Sequence, residues 1–257
     1  MAETADAELA GTLVQAAGRL AARMLADGLT AQHKSSVTDI VTAADHAAEA
    51  LIVERLRAAR PHDGLVGEEG AREQATSART WHVDPVDGTY NFLSGLPFWC
   101  SAIALAEEGD DPDPLLGAVY QPVTDELWLG GRDHPATCNG EALPRLVERP
   151  LRELSLASYL HPPRLADGTV IAPLLHAIGH AATLRMLGSG SVELAGVASG
   201  RLGAWLHLDS PSWDWLPGAA LVRAAGGSTA VLEAHGHRWH IAGNVRAVEE
   251  LIELVQE

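Results

Sequence analysis

WHVDPVDGTYNF, residues 81–92, decides how this chain is to be read. A short β-favouring run ends at two aspartates, Asp84 and Asp87, and a glycine follows at once. Pro85 restricts Asp84 to extended backbone, which aims the turn and lets the two carboxylates converge. Mg2+ takes oxygen ligands in near-octahedral geometry and leaves positions for water and phosphate, so paired aspartates suit it. Gly88 allows backbone N–H groups close to an anion, and a helix starting at Thr89 would offer its N-terminus to phosphate oxygens. DPVDG also reads as an ordinary Asp- and Pro-rich turn. Its surroundings have to decide.

Upstream, VGEEG (66–70) ends a short apolar strand with Glu68 and Glu69, at a strand's carboxyl end where α/β enzymes place ligands. The same glutamates read as solvated loop residues. Further upstream, KSSVTDIVTAADHAAE (34–49) sets Lys34, Asp39, Thr42 and Asp45 just before or inside a helix. Thr42 and Asp45 read as an N-cap and its third-position partner as readily as they read as site residues. Downstream, Ser212, Trp213 and Asp214 open another helix, and Asp214 is either a dipole-stabilising residue or a ligand. Lys34 is the single lysine beside seventeen arginines, which singles out its compact ammonium, although a leftover surface lysine fits too.

Around these motifs, helical spacing predicts helices over 7–28 and 43–60, the second stopped by Pro61. Short strands are predicted at 64–67, 80–84, 98–106, 115–121 and 126–130, giving two helices against a largely antiparallel sheet. From about Arg152 the pattern alternates: strands at 154–159, 183–187 and 204–208, helices at 170–180, 191–199, 214–225 and 245–255. The fold class is α/β, layered, with a half at 1–150 carrying most candidate ligands and a half at 151–257 carrying Asp214.

A net charge of −16 disfavours nucleic acid, whose binding depends on clustered Lys and Arg. No long apolar run crosses a membrane, and acidic residues stand where a secretion signal would be basic, so a cytoplasmic protein is expected. Cys100 and Cys138 are too few for a disulfide framework and are expected to be free. His235, His237 and His240 form H-x-H-x-x-H, which could hold zinc on a strand but reads better as surface histidines on a hairpin through Gly236.

Taken together, Lys34 with DIVTAAD, GEE, DPVDGTYNF, GSGS and WDWLPGAALVRAAGG resemble the inositol monophosphatase family in order and approximate spacing over nearly the whole chain. The resemblance implies a five-layer α-β-α-β-α sandwich, a homodimer, lithium sensitivity, and hydrolysis of a small phosphorylated metabolite by two or three Mg2+ ions. It assigns Glu68, Asp84, the Val86 carbonyl, Asp87 and Asp214 as metal ligands, with Asp84 bridging two ions. It gives Glu68 and Thr89 the task of orienting and deprotonating the attacking water, and Asp45 a water-mediated hold on a third ion. Gly88, Thr89 and Lys34 fall at the phosphate, and Gly188, Ser189 and Gly190 at the alcohol portion. At sequence level Ser189 equally caps a helix.

His207 departs from the pattern. Many family members carry there a glutamate that hydrogen-bonds inositol hydroxyls, and a histidine is a weaker acceptor. Inositol 1-phosphate or a related polyol phosphate is the leading substrate, with histidinol phosphate and 3'-phosphoadenosine 5'-phosphate as alternatives. Doubly phosphorylated substrates call for more basic residues than Lys34, Arg185 and Arg201. A non-catalytic regulatory member is the rival of another class, and the full carboxylate set speaks against it.

Overall fold

A computed structural model describes residues 2–28, 31–33, 40–109 and 111–257. The long helix α1 (Ala2–Ala26) starts earlier than its apolar spacing suggested and buries Ala10, Leu13, Val14 and Ala17. A small antiparallel ribbon follows, β1 (Ala31–His33) and β2 (Ile40–Thr42). Lys34 and Asp39 lie outside the described residues. Helix α2 (Ala43–Ala59) begins at the predicted capping box: the Thr42 hydroxyl accepts from the Ala44 and Asp45 amides, and the Asp45 carboxylate accepts from the Thr42 amide. It ends just before Arg60 and Pro61, as proline requires.

The first sheet contains β3 (Gly64–Gly67), β4 (Arg72–Glu73), β5 (Arg79–Asp87), β6 (Cys100–Glu107), β7 (Pro114–Gln121), β8 (Glu126–Gly131), β9 (His134–Cys138) and β10 (Glu141–Ala142). Their order is β10-β9-β8-β7-β6-β5-β3-β4. Only β3 and β5 run parallel; the other neighbours are antiparallel. Helix α3 (Thr89–Ser94) sits between β5 and β6.

The second sheet contains β11 (Ser155–Ala157), β12 (Thr183–Arg185), β13 (Ala204–Leu208), β14 (Ser228–Ala234) and β15 (His237–Gly243), in the order β12-β11-β13-β15-β14. Between and after these strands come α4 (Gly168–Gly179), α5 (Gly190–Ala198), α6 (Ser212–Ala224) and α7 (Val245–Gln256). β11 runs parallel to both β12 and β13, and β15 runs antiparallel to its two neighbours.

Alternation of side chains along each strand gives both sheets two apolar faces, so helices cover both sides of each. On the outer face of the first sheet, Trp81, Val83 and Ile103 pack against Leu13 and Ile52 of α1 and α2. Its inner face, with Ala102, Ala104 and Val119, packs on Leu194, Val197, Leu216 and Leu221 of α5 and α6. Trp205 and Ala242 of the second sheet close that middle core, while Leu206, Trp239 and Ile241 face Leu174 and Leu251 of α4 and α7. The result is the expected α-β-α-β-α sandwich.

Two glycines set how closely α6 approaches its neighbours. A Cβ on Gly117 of β7 would fall 2.1 Å from the Pro217 carbonyl oxygen, and one on Gly218 would fall 2.2 Å from Leu194 Cβ. Backbone therefore sits directly on backbone, which places Asp214 within reach of the first sheet.

One expectation fails: His240 is buried rather than on the surface. It pairs with His207 across β13 and β15, so strand register turns it inward, while His235 and Gly236 form the predicted turn with positive φ.

Candidate active site

Asp84 and Asp87 are three residues apart, a spacing that in a regular strand would put them on opposite faces. The structure resolves this with a β-bulge. Asp84 pairs with Ala102 and Asp87 with Cys100, so three steps on β5 match two on β6. The Pro85 carbonyl released from the ladder accepts from the Ser101 hydroxyl at 2.6 Å, and the Val86 amide donates to Asp84 Oδ1 at 3.1 Å. Both carboxylates thus face the middle layer, where Asp214 arrives in the first turn of α6. The three offer carboxylate oxygens within 4.8 Å of one another.

Glu68 joins them by register, since parallel pairing sets Gly67 beside Val83 and the Glu68 amide donates to the Val83 carbonyl. Its turn is braced by Glu49 of α2, whose buried carboxylate accepts from the Glu69 amide at 2.8 Å and the Ala71 amide at 3.1 Å. Gly67 leaves room for this, because a Cβ there would lie 2.2 Å from Glu49 Oε2. His82 Nδ1 and the Ser212 hydroxyl, 2.8 Å apart, tie β5 to the start of α6.

Burial dominates the electrostatics. Asp84 and Asp87 are only 2% and 6% exposed. Desolvation first, then the charges of Glu68, Asp87 and Asp214, holds Asp84 well above the ordinary carboxylate range. Desolvation and then Asp87 do the same to Asp214. Asp87 is also raised by burial, less so because the Ser191 amide donates to Oδ2 at 2.6 Å. Burial and then Asp87 push the free Cys100 thiol up. Buried carboxylates crowded this closely need a counter-charge, and an all-oxygen donor set is the one Mg2+ prefers. The donor set therefore fits the expected metal.

Of the remaining predicted residues, Thr89, Asp45, Gly88 and 188–190 lie around this cluster, and Lys34 is outside the described residues. Thr89 opens α3, and its hydroxyl lies 3.0 Å from the Val86 carbonyl and 3.2 Å from Asp45 Oδ1. Asp45 is thus capping-box partner of Thr42 and hydrogen-bond partner of Thr89 together; its carboxyl is fully buried, and desolvation raises its pKa. Gly88 takes φ +93°, and a Cβ there would meet the Phe98 carbonyl at 2.8 Å and Gly188 and Ser189 at 3.2 Å. The loop 187–190 consequently touches the turn at Gly88. Asn91 fastens the two, donating from Nδ2 to the Phe98 and Leu187 carbonyls, each at 2.7 Å. Ser189 does cap α5, accepting from the Val192 amide, while that helix end points the Ser191 amide at Asp87.

Sequence reasoning missed Glu49 and Glu193. Glu193 is buried in α5 and accepts from the Leu187 amide at 2.7 Å, the Gly188 amide at 3.3 Å and Trp205 Nε1 at 2.9 Å. Desolvation pushes its pKa up to about 8. His207 stands beyond Trp205 with its ring centroid 5.3 Å from the indole. Burial, then His240 and His161, lowers its pKa to about 4, so it is neutral at pH 7.

With this geometry in view, the likeness to known proteins is specific. The family model described as "Inositol monophosphatase family" matches residues 4–255, and the chain belongs to that family. It is 36% identical to an inositol-1-monophosphatase of Rhizobium meliloti over 85% of this chain and 83% of the relative. It is 32% identical to the Nus factor SuhB of Escherichia coli strain K12, over 86% of this chain and 82% of the relative. The crystal structure of the extragenic suppressor protein suhB from Bartonella henselae superposes with a TM-score of 0.87 at 30% identity, covering 98% of this chain and 99% of that one.

Proposed function

We propose that this protein is a Mg2+-dependent phosphomonoesterase for a small cyclic alcohol, with inositol 1-phosphate or a related polyol phosphate the first substrate to test. The observation that carries this reading is the convergence of Asp84, Asp87 and Asp214 in a buried cluster beside Glu68 and Thr89. These carboxylates, with the Val86 carbonyl, are the groups that would hold two or three ions. Bound Mg2+ supplies positive charge against phosphoryl oxygens and makes a coordinated water more acidic.

The chain's own residues do the rest. Gly88 and Thr89 hold the phosphate through backbone amides, with Lys34 as a further cation for it. Thr89, anchored by Asp45 and the Val86 carbonyl, and Glu68 orient the water and accept its proton. An oxygen–phosphorus bond forms in line as the ester oxygen–phosphorus bond breaks, the alkoxide takes up a proton, and alcohol and inorganic phosphate leave. No covalent enzyme intermediate is needed. Gly188, Ser189 and Gly190, fastened beside Gly88 by Asn91, line the alcohol side, with His207 behind them.

Histidinol phosphate and 3'-phosphoadenosine 5'-phosphate are the alternative substrates. A regulatory role is the second reading, favoured by the relative named a Nus factor. Phosphate release from these three esters with Mg2+, and with EDTA as control, separates the readings. Turnover that EDTA abolishes supports the enzyme; silence across the panel, with no Mg2+ binding, supports the regulator. We read the protein as a cytoplasmic homodimer with no nucleic acid partner, in keeping with its −16 charge. Among the described residues no helix is long and apolar enough to cross a membrane.

A further inference from the structure

The alcohol side of the site is built from rings. β11 and β13 are parallel neighbours with Ala157 beside Trp205, and β13 continues to His207 on the same face as Trp205. Just past the end of β11, Tyr159 comes to His207, with ring centroids 6.4 Å apart. His161 lies edge-on to Tyr159 at 4.9 Å, and Trp205 lies edge-on to His207 at 5.3 Å. Trp205 stacks in turn on Trp215, at 5.6 Å, the residue after Asp214. Its Cζ2 also sits 3.8 Å from where a Cβ of Gly190 would be. At the other end, Tyr90 follows Thr89, is 56% exposed, and stands near enough for its phenol to help burial hold the Tyr159 hydroxyl above its usual pKa. A chain of rings therefore runs from the Thr89 edge of the site to the Asp214 edge.

This wall offers little to a polyol. Arg185, the strand cation at the same end of the sheet, folds back onto the Thr183 hydroxyl and the Leu184 carbonyl. A neutral imidazole offers one acceptor nitrogen and a phenol one oxygen, fewer than the paired oxygens with which a carboxylate accepts from two vicinal hydroxyls. They do offer ring faces and edges, which attract another flat ring more than a saturated one. Among the described residues, neither the His207 nitrogens nor the Tyr159 hydroxyl makes a hydrogen bond, so both polar handles are free for a ring substituent.

We propose that the alcohol portion this site selects is a flat aromatic or heteroaromatic ring on a short carbon arm, packed against Tyr159 and His207 with Tyr90 at the mouth. This rests on the phosphomonoesterase reading and, within it, favours a ring-bearing alcohol over the polyol placed first above. Benzyl phosphate and cyclohexylmethyl phosphate test it, because both are esters of primary alcohols of similar size and differ in ring character. Wild-type protein with Mg2+ is expected to show kcat/KM about three- to tenfold higher for the benzyl ester. The non-hydrolysable 2-phenylethylphosphonate should bind more tightly than 2-cyclohexylethylphosphonate by the same factor in calorimetry. Tyr159→Leu should bring both ratios close to one. Turnover of both esters at equal efficiency overturns ring selection and leaves the phosphatase reading standing. A binding preference without turnover of any ester does the reverse. Failure to turn over either ester or to bind either phosphonate overturns both.

Discussion

The carboxylate wall of the site is tied down at several atoms, whereas the ring wall is fixed by one indole hydrogen bond, from Trp205 to Glu193, and its Tyr159 and His207 rings by packing. Asp84 accepts from the Val86 amide, Asp87 from the Ser191 amide, and the Glu68 turn hangs on Glu49. Among the described residues, the Tyr159 and His207 side chains make ring contacts and no hydrogen bond. Chemistry at phosphorus needs charge placed to within fractions of an ångström, so its residues are over-determined. Choosing an alcohol needs only a few-fold preferences, and a wall held by dispersion can supply them while changing readily between relatives. Substitutions in the first wall should therefore abolish turnover, and those in the second should redistribute it among substrates.

Asp87→Asn gives the largest expected effect and could break this comparison outright. The substitution keeps the side chain's volume and its acceptor for the Ser191 amide but removes a charge the ions require. Phosphate release with Mg2+ should fall on the order of 100- to 1000-fold. Without metal the variant should melt at a higher temperature than wild type, because Asp87 burdens both Asp84 and Asp214. Its gain in melting temperature on adding Mg2+ should shrink. Near-normal turnover would sink the assignment of this cluster as the metal site.

Next in size is Glu49→Ala, which frees the Glu69 and Ala71 amides and loosens the turn carrying Glu68. Apparent Mg2+ affinity should weaken about 10- to 100-fold, with much of the rate recovered at saturating Mg2+. An unchanged Mg2+ titration would mean that the Glu68 turn holds itself and that the first wall is less interdependent than its hydrogen bonds suggest.

Both supporting glutamates show where reading the sequence stops. The carboxylate cluster was legible because Asp84, Asp87, Glu68 and Asp214 sit at element ends, where turn residues and helix starts mark them. The β-bulge that turns Asp84 and Asp87 to one face was not, since a pairing register depends on the partner strand β6 as much as on β5. Glu49 lies on the buried ladder Asp45, Glu49, Ile52, Leu56 of α2, and Glu193 interrupts an apolar run in α5. A lone acid on an apolar helix face was the available signal. What it braces lies in loops distant in sequence, and only the fold brings those near. His240 was misplaced for the same reason: its exposure depends on β13, which it pairs with, rather than on its own hairpin.

Glu193 spans the two walls, holding the loop at Leu187 and Gly188 on one side and Trp205 on the other, and it makes a pH experiment possible. Its folded pKa of about 8 lies above the ordinary glutamate value of 4.5. Between those values the folded state binds a proton that the unfolded state has lost, so unfolding free energy falls as pH rises across that window. Below it both states are protonated, and above it both are ionised with the penalty complete. Glu193→Gln should flatten the stability profile between about pH 5 and pH 8, read from urea melts at each pH. Its stability should also drop at low pH, because the amide cannot satisfy all three donors at once. An unaltered slope would show that Glu193 keeps its charge in the fold, relieved by its three donors.

The smallest effect should come from His207→Glu, and it tests the ring wall most sharply. A carboxylate here would have the acceptors that vicinal hydroxyls want, and it would lose the flat neutral ring. The ratio of kcat/KM for inositol 1-phosphate over benzyl phosphate should rise by about tenfold, through KM rather than kcat because no group at phosphorus has changed. The protein should lose about 1–3 kcal/mol of stability, since the new charge sits half-buried beside Trp205 and the buried His240. A change in kcat of the same size for both esters would mean that His207 acts on the reacting phosphate. The two walls would then be one catalytic unit, and the division between an over-determined side and an adaptable one would fail at this residue.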